Sequence, residues 1–102
     1  MTMAMVALVS GFKEGPDYVK CTNWSRTYDG VQFRYCQSGE YISYYDNLEW
    51  YNGNSYRVYI SWEWSFDSSK GQSAIYLGSG ETSDPAAIPD GYEVLSIKVE
   101  RK

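Results

Sequence analysis

From Tyr56 to Ser65 the chain alternates without interruption, with Tyr56, Val58, Ile60, Trp62 and Trp64 in one phase and Arg57, Tyr59, Ser61, Glu63 and Ser65 in the other. A period of two places the first set on one face of a strand and the second on the opposite face. A helix would scatter both sets around its axis. No window of the chain carries a sustained helical apolar period. Tyrosine and tryptophan are abundant, with 11 and 4 copies, leucines are few and no stretch is alanine-rich. Tyr, Trp, Val and Ile suit a pleated, half-buried surface, whereas Ala, Leu, Glu and Lys suit helix. The expectation is an all-β, antiparallel domain.

Turn chemistry divides the rest. Gly11 and Glu14-Gly15-Pro16-Asp17 end a first apolar run, residues 1–9 (MTMAMVALV). That run is read as an N-terminal strand, with a residual targeting segment as the alternative. No basic residue precedes it, and it is too short to span a bilayer as a helix. Strands are expected over 19–26, 31–36, 41–45 with a continuation over 48–51, 55–66, 72–77 and 92–99. Asp29-Gly30, Ser38-Gly39, Asn52-Gly53-Asn54, 67–71, Gly78-Ser79-Gly80 and Pro89-Asp90-Gly91 break the chain between them. The 102 residues suit one domain, here a single β-sandwich domain over 1–102 with about seven strands, or a flattened β-barrel as the alternative.

Register can be argued from pairing, because a slip of one residue turns every side chain to the other face. A three-residue loop at Asn52-Gly53-Asn54 sets Trp50 opposite Tyr56, Leu48 opposite Val58 and Glu49 opposite Arg57, which joins apolar to apolar and acid to base. A four-residue loop over 68–71 sets Trp64 opposite Ile75 and Trp62 opposite Leu77. The expected core face is therefore Tyr56, Val58, Ile60, Trp62 and Trp64 with Leu48, Trp50, Ile75 and Leu77. In the first hairpin, a four-residue loop over 27–30 sets Trp24 opposite Phe33 and Cys21 opposite Cys36. Directly opposed cysteines in a non-hydrogen-bonded pair are close enough to bridge, so a Cys21–Cys36 disulfide is expected. Disulfides persist in oxidising compartments, and the bridge implies a secreted or periplasmic protein.

Composition excludes several kinds of chemistry. The chain has no histidine, which removes Ser-His-Asp and Cys-His catalysis and His-ligated zinc. Two cysteines cannot make a four-thiolate zinc site. The net charge of −4 and the scattered Lys and Arg residues argue against nucleic acid and against docking to anionic membranes. Membrane insertion is not expected. Glu49 and Glu63, tested as a catalytic pair, would lie roughly 20 Å apart at about 3.3 Å per residue, beyond what glycosidase carboxylates need. Loop runs rich in Asp, Asn and Ser lack the spacing of a calcium loop and are explained by turn preference. No catalytic residues, metal or cofactor are expected, and the chain reads as a non-enzyme.

What remains is aromatic. With the registers above, Tyr45, Tyr51, Tyr59 and Tyr76 fall on one polar face with Asn47, Glu49, Arg57 and Glu63. A tyrosine offers a flat apolar body with a hydroxyl at its tip, suited to stacking on sugar rings or anchoring a protein. The same pairing would arise if tyrosines only stabilised neighbouring strands or lay under a second sheet. The functional expectation is a binding module that recognises carbohydrate or a cell-surface polymer through this face. The alternatives are a protein-binding domain (an inhibitor, immunity-type protein or surface adaptor) and a structural subunit of a larger assembly.

Overall fold

The computed structural model describes residues 19–102, and the strand expected over residues 1–9 lies outside the described residues. Seven strands follow in order: β1 (Lys20–Cys21), β2 (Val31–Gln37), β3 (Asn47–Asn52), β4 (Val58–Phe66), β5 (Ser69–Leu77), β6 (Ala86–Ala87) and β7 (Glu93–Arg101). They form two antiparallel sheets, one of four strands in the order β1-β2-β3-β6 and one of three in the order β5-β4-β7. The architecture is a β-sandwich. Among the described residues no helix is long and apolar enough to cross a membrane.

The alternation within β4 decides the core. Val58, Ile60 and Trp62 point inward with Leu77, and they meet Val31, Leu48, Trp50 and Ile88 of the other layer. Tyr56, Trp64 and Ile75 pack against this cluster, so every residue expected on the core face is there. Trp50 and Trp62 meet across the sandwich with ring centroids 4.7 Å apart, and Phe33 lies 5.2 Å from Trp50 in the same layer. Each indole removes roughly 150–250 Å² from water, so these few rings supply much of the core of a small domain.

The connection after β3 is not the expected hairpin. β3 pairs with β2, which sets Trp50 opposite Phe33 and Leu48 opposite Tyr35, while β4 belongs to the other sheet. Leu48 and Trp50 therefore pack onto β4 from the facing layer instead of lying beside it. The pivot is Asn52, with none of its surface exposed. Its side-chain Nδ2 donates to the carbonyls of Tyr56, Leu77 and Gly78 at 2.9–3.0 Å, and its Oδ1 accepts from the Asn54 amide. A residue expected to make a surface turn instead joins the two sheets from inside. Gly53 then donates to Gly30 O at 2.8 Å, and a Cβ on Gly30 would lie 2.1 Å from Asn54 Oδ1.

The β4–β5 hairpin turns through two residues, Asp67 and Ser68, not the four expected, so Trp64 faces Gly71 and Ile60 faces Ile75. The correction shifts partners by an even number and leaves every side chain on its expected face. Gly71 is a strand residue because the Trp64 ring lies across it: a Cβ there would come within 2.3 Å of the indole.

Cys21 and Cys36 are joined, directly opposite one another with Cα atoms 4.0 Å apart. The aromatic pairing expected alongside them does not occur. The chain reverses through the two-residue turn Asp29-Gly30, both with positive φ (50° and 81°), flanked by the Tyr28–Val31 bridge. Two positive φ values in a two-residue loop define the tight hairpin turn that matches strand twist. The intervening residues 22–27 are not a regular strand, and Ser25, not Trp24, bonds to Phe33.

Replacing Asn52 by Ala is expected to cost about 2–4 kcal/mol, because three carbonyls lose a shared buried donor. Asn54→Ala, whose side chain bonds near the surface, should cost about 1 kcal/mol or less. Urea unfolding of both variants would check this, and equal losses would remove the pivot role. Reducing Cys21–Cys36 is expected to lower stability by on the order of 3 kcal/mol for its separation of 15 residues, read as a drop in urea midpoint with added reductant.

Candidate functional site

The residues expected on one polar face separate into three places, because the chain changes sheets between β3 and β4. Asn47, Glu49 and Tyr51 alternate with the buried Leu48, Trp50 and Asn52 and so lie on the outer side of the four-stranded sheet. Tyr59, Glu63 and Tyr76 lie on the outer side of the three-stranded sheet, with Arg57 at its end. The two outer sides face in opposite directions, and Tyr45 belongs to neither.

On the four-stranded side, Arg34 takes the place expected for Arg57. It is paired across the strands with Glu49 and donates through Nε and Nη2 to Oε1, each at 2.9 Å. The guanidinium also lies 4.5 Å from the Trp24 ring centre, and Trp24 meets Tyr51 at 6.0 Å. The Glu49 side chain is 9% exposed, so this is a covered ion pair and not a surface offered to a ligand. On the three-stranded side, Tyr59 and Tyr76 lie side by side at 4.7 Å. Arg57 sits over Tyr76 at 4.5 Å and Lys102 over Tyr59 at 5.8 Å. Glu63 accepts from Ser96 Oγ at 3.1 Å. A cation thus lies over one face of each ring, while Tyr76 is 54% exposed.

Among the described residues a concavity of about 590 Å³ lies at one end of the sandwich. Tyr35, Tyr44, Tyr45 and Tyr92 supply its rings, and Gln37, Ser43, Asp90 and Glu93 its polar groups. Only Tyr45 was expected to have a role. The other residues escape sequence reading because they come from three separate segments. Residues 41–45 were expected to be strand, but they form a loop that walls the cleft.

Local hydrogen bonds hold that loop. The Gln37 amide donates to the carbonyls of Gly39 and Ile42. Asp46 accepts from the Ser38 amide and hydroxyl, donates its own N–H to Cys36 O at 3.0 Å, and accepts from the Ile88 amide at 2.9 Å. Both walls of the cleft are thereby tied to one residue. The opposite wall turns at Pro89-Asp90-Gly91-Tyr92, closed by Tyr92 N–H to Pro89 O at 3.3 Å, with Gly91 at φ 87° where a type II turn requires glycine.

Burial pushes Tyr35 and Tyr92 above the ordinary tyrosine range. Each accepts one bond from the fold, Tyr35 from the Val94 amide at 3.3 Å and Tyr92 from the Trp62 indole at 2.9 Å, and each retains an O–H to donate. Lys20 lies 5.7 Å from the Tyr45 ring centre. The cleft therefore offers apolar ring surface beside hydroxyl donors and carboxylate and amide acceptors. Among the described residues no group of three or more Asp, Glu or Cys side chains is placed to hold a metal ion. Comparison with family models, with curated proteins and with solved structures finds no match to the chain.

Hydrogen bonds from Ser38 hold the Asp46 carboxyl below the ordinary Asp range. A lowered folded value means the stabilisation is complete above the unfolded pKa of about 4 and is lost as pH falls through the folded one. The loop 38–46 should therefore stay ordered at neutral pH and loosen only in stronger acid. An NMR titration would show the Ser38 amide shifting with a midpoint below that of an unperturbed Asp, and Ser38→Ala should move the Asp46 midpoint back up.

Proposed function

We propose that this protein is a non-enzymatic binding module for neutral carbohydrate, with the end cleft as its site. The observation that carries this reading is the meeting of four tyrosine rings with Gln37, Ser43, Asp90 and Glu93 in one concavity. Sugar rings present apolar C–H faces and a rim of hydroxyls, and each hydroxyl both donates and accepts. Tyrosine bodies match the faces, phenol O–H groups donate to the rim, and carboxylates accept from it. A pocket with apolar walls and a few convergent polar groups is the usual form of a small-ligand site. The Cys21–Cys36 bridge favours an oxidising compartment, and we place the protein in the secreted or periplasmic class, where extracellular polymers are met.

Glycan-array screening followed by calorimetry on the best ligand tests the assignment. Tyr44→Ala and Tyr45→Ala are expected to weaken binding about tenfold or more each. Tyr59→Ala, on a sheet face away from the cleft, should leave it unchanged. Absence of binding to any glycan class would sink the reading, as would affinity that follows Tyr59 instead.

A further inference from the structure

Two further cavities lie along the side of the sandwich, each sharing wall residues with the one before it. A second cavity of about 280 Å³ shares Ile88, Pro89 and Tyr92 with the cleft. A third, of about 460 Å³, shares Trp62 and Ala86 with the second. Along this run the rings pass from Tyr44 and Tyr45 through Tyr92, Trp64 and Trp62 to Trp50. The side is open because β6 is only two residues long, leaving the inner rings near β5 without a full strand above them.

The indole N–H groups distinguish the two ends of the run. Trp62 donates to Tyr92 O–H, and Trp64 donates to Ser73 Oγ at 3.1 Å. Tyr92 is further fixed by stacking on Trp64 at 5.7 Å. Trp50, 1% exposed, keeps its Nε1–H without a hydrogen-bond partner, although its ring forms part of the third cavity's wall. A buried donor left unmatched is costly, and native folds seldom retain one without a reason. Its neighbours there include Thr82, Ser83 and Asp84, so the far end of the run is also polar. Charge narrows the occupant. Lys20 is the cation among the described lining residues, against the carboxylates of Asp90 and Glu93 at one end and Glu81 and Asp84 at the other. An anionic polymer would be repelled at both ends.

We infer that the three cavities form one groove for a linear, uncharged polysaccharide chain, and that an acceptor oxygen of the chain takes the Trp50 indole N–H. This rests on the carbohydrate reading of the end cleft and extends it from a terminal sugar to a run of sugar units. A chain threaded along the groove lays ring faces on Tyr45, Tyr92 and the partly exposed Trp64, and passes the rims of the buried Trp62 and Trp50.

Calorimetry and tryptophan fluorescence with the disaccharides and hexasaccharides of cellulose, xylan and chitin test this directly. Trp50 lines the third cavity and not the end cleft, so the response of a Trp50 variant to the longer sugar reports the groove. The expected result is a hexasaccharide that binds at least about tenfold tighter than its disaccharide and shifts the emission. Trp50→Phe, which removes the N–H and keeps an aromatic ring, should weaken the hexasaccharide about 5- to 10-fold and leave the disaccharide unaffected. Equal affinity for both lengths would overturn the groove while leaving the end cleft as a carbohydrate site. Tighter hexasaccharide binding indifferent to Trp50→Phe would overturn the Trp50 contact, and no binding by any of the six sugars would overturn the groove, while the glycan array alone decides the end cleft.

Discussion

A single buried amide organises this sandwich. Asn52 ends β3, and its side chain closes onto carbonyls at the start of β4 and the end of β5 while its backbone exchanges bonds with Gly80 and Glu81. One residue thus holds the departure from one sheet, the arrival in the other and the segment that covers the β3 edge. Inside the protein such a group must be fully matched, and Asn can match several partners at once because it carries both a donor and an acceptor end. The crossing it anchors sends Leu48 and Trp50 against β4 face to face. Every later contact in the core follows from that choice.

The consequence for the site is geometric. With β3 and β4 in facing layers, Trp50 and Trp62 meet at a tilt of 42° across the sandwich, and the interlayer space is filled by rings wider than aliphatic side chains. Bulky rings at the centre and a two-residue strand at the rim leave the side between β5 and β6 open. Phe33, Tyr35 and Tyr92 continue the aromatic layer to the end of the molecule, where loop 38–46 and the turn at Pro89-Asp90-Gly91 complete the cleft. The binding surface proposed here is an extension of the core, its rings held by hydrogen bonds such as Trp62 to Tyr92.

Legibility in the sequence followed the range of the information. The period of two in β4 depends on neighbours along one strand, and it identified the core residues even where the pairing partner was misassigned. The cysteine alignment survived because two opposed positions near one hairpin suffice to define it. Trp24 was misplaced because six residues, 22–27, leave regular strand geometry before the Asp29-Gly30 turn. The tyrosine face failed for another reason. Asn52-Gly53-Asn54 has the local chemistry of a hairpin turn, and nothing local distinguishes a reversal within a sheet from a step between sheets.

The sequence by itself determined the all-β class, the inward side of β3, β4 and β5 and the Cys21–Cys36 bridge, since each rests on alternation or on a short closure. Tertiary structure alone decided that β3 pairs with β2 and not with β4, that Glu49 meets Arg34, and that Tyr44, Tyr45, Tyr35 and Tyr92 share a cleft. Those facts depend on contacts between residues far apart in the chain. Their energy comes from burying rings and matching polar groups across two layers, and no single segment carries either quantity.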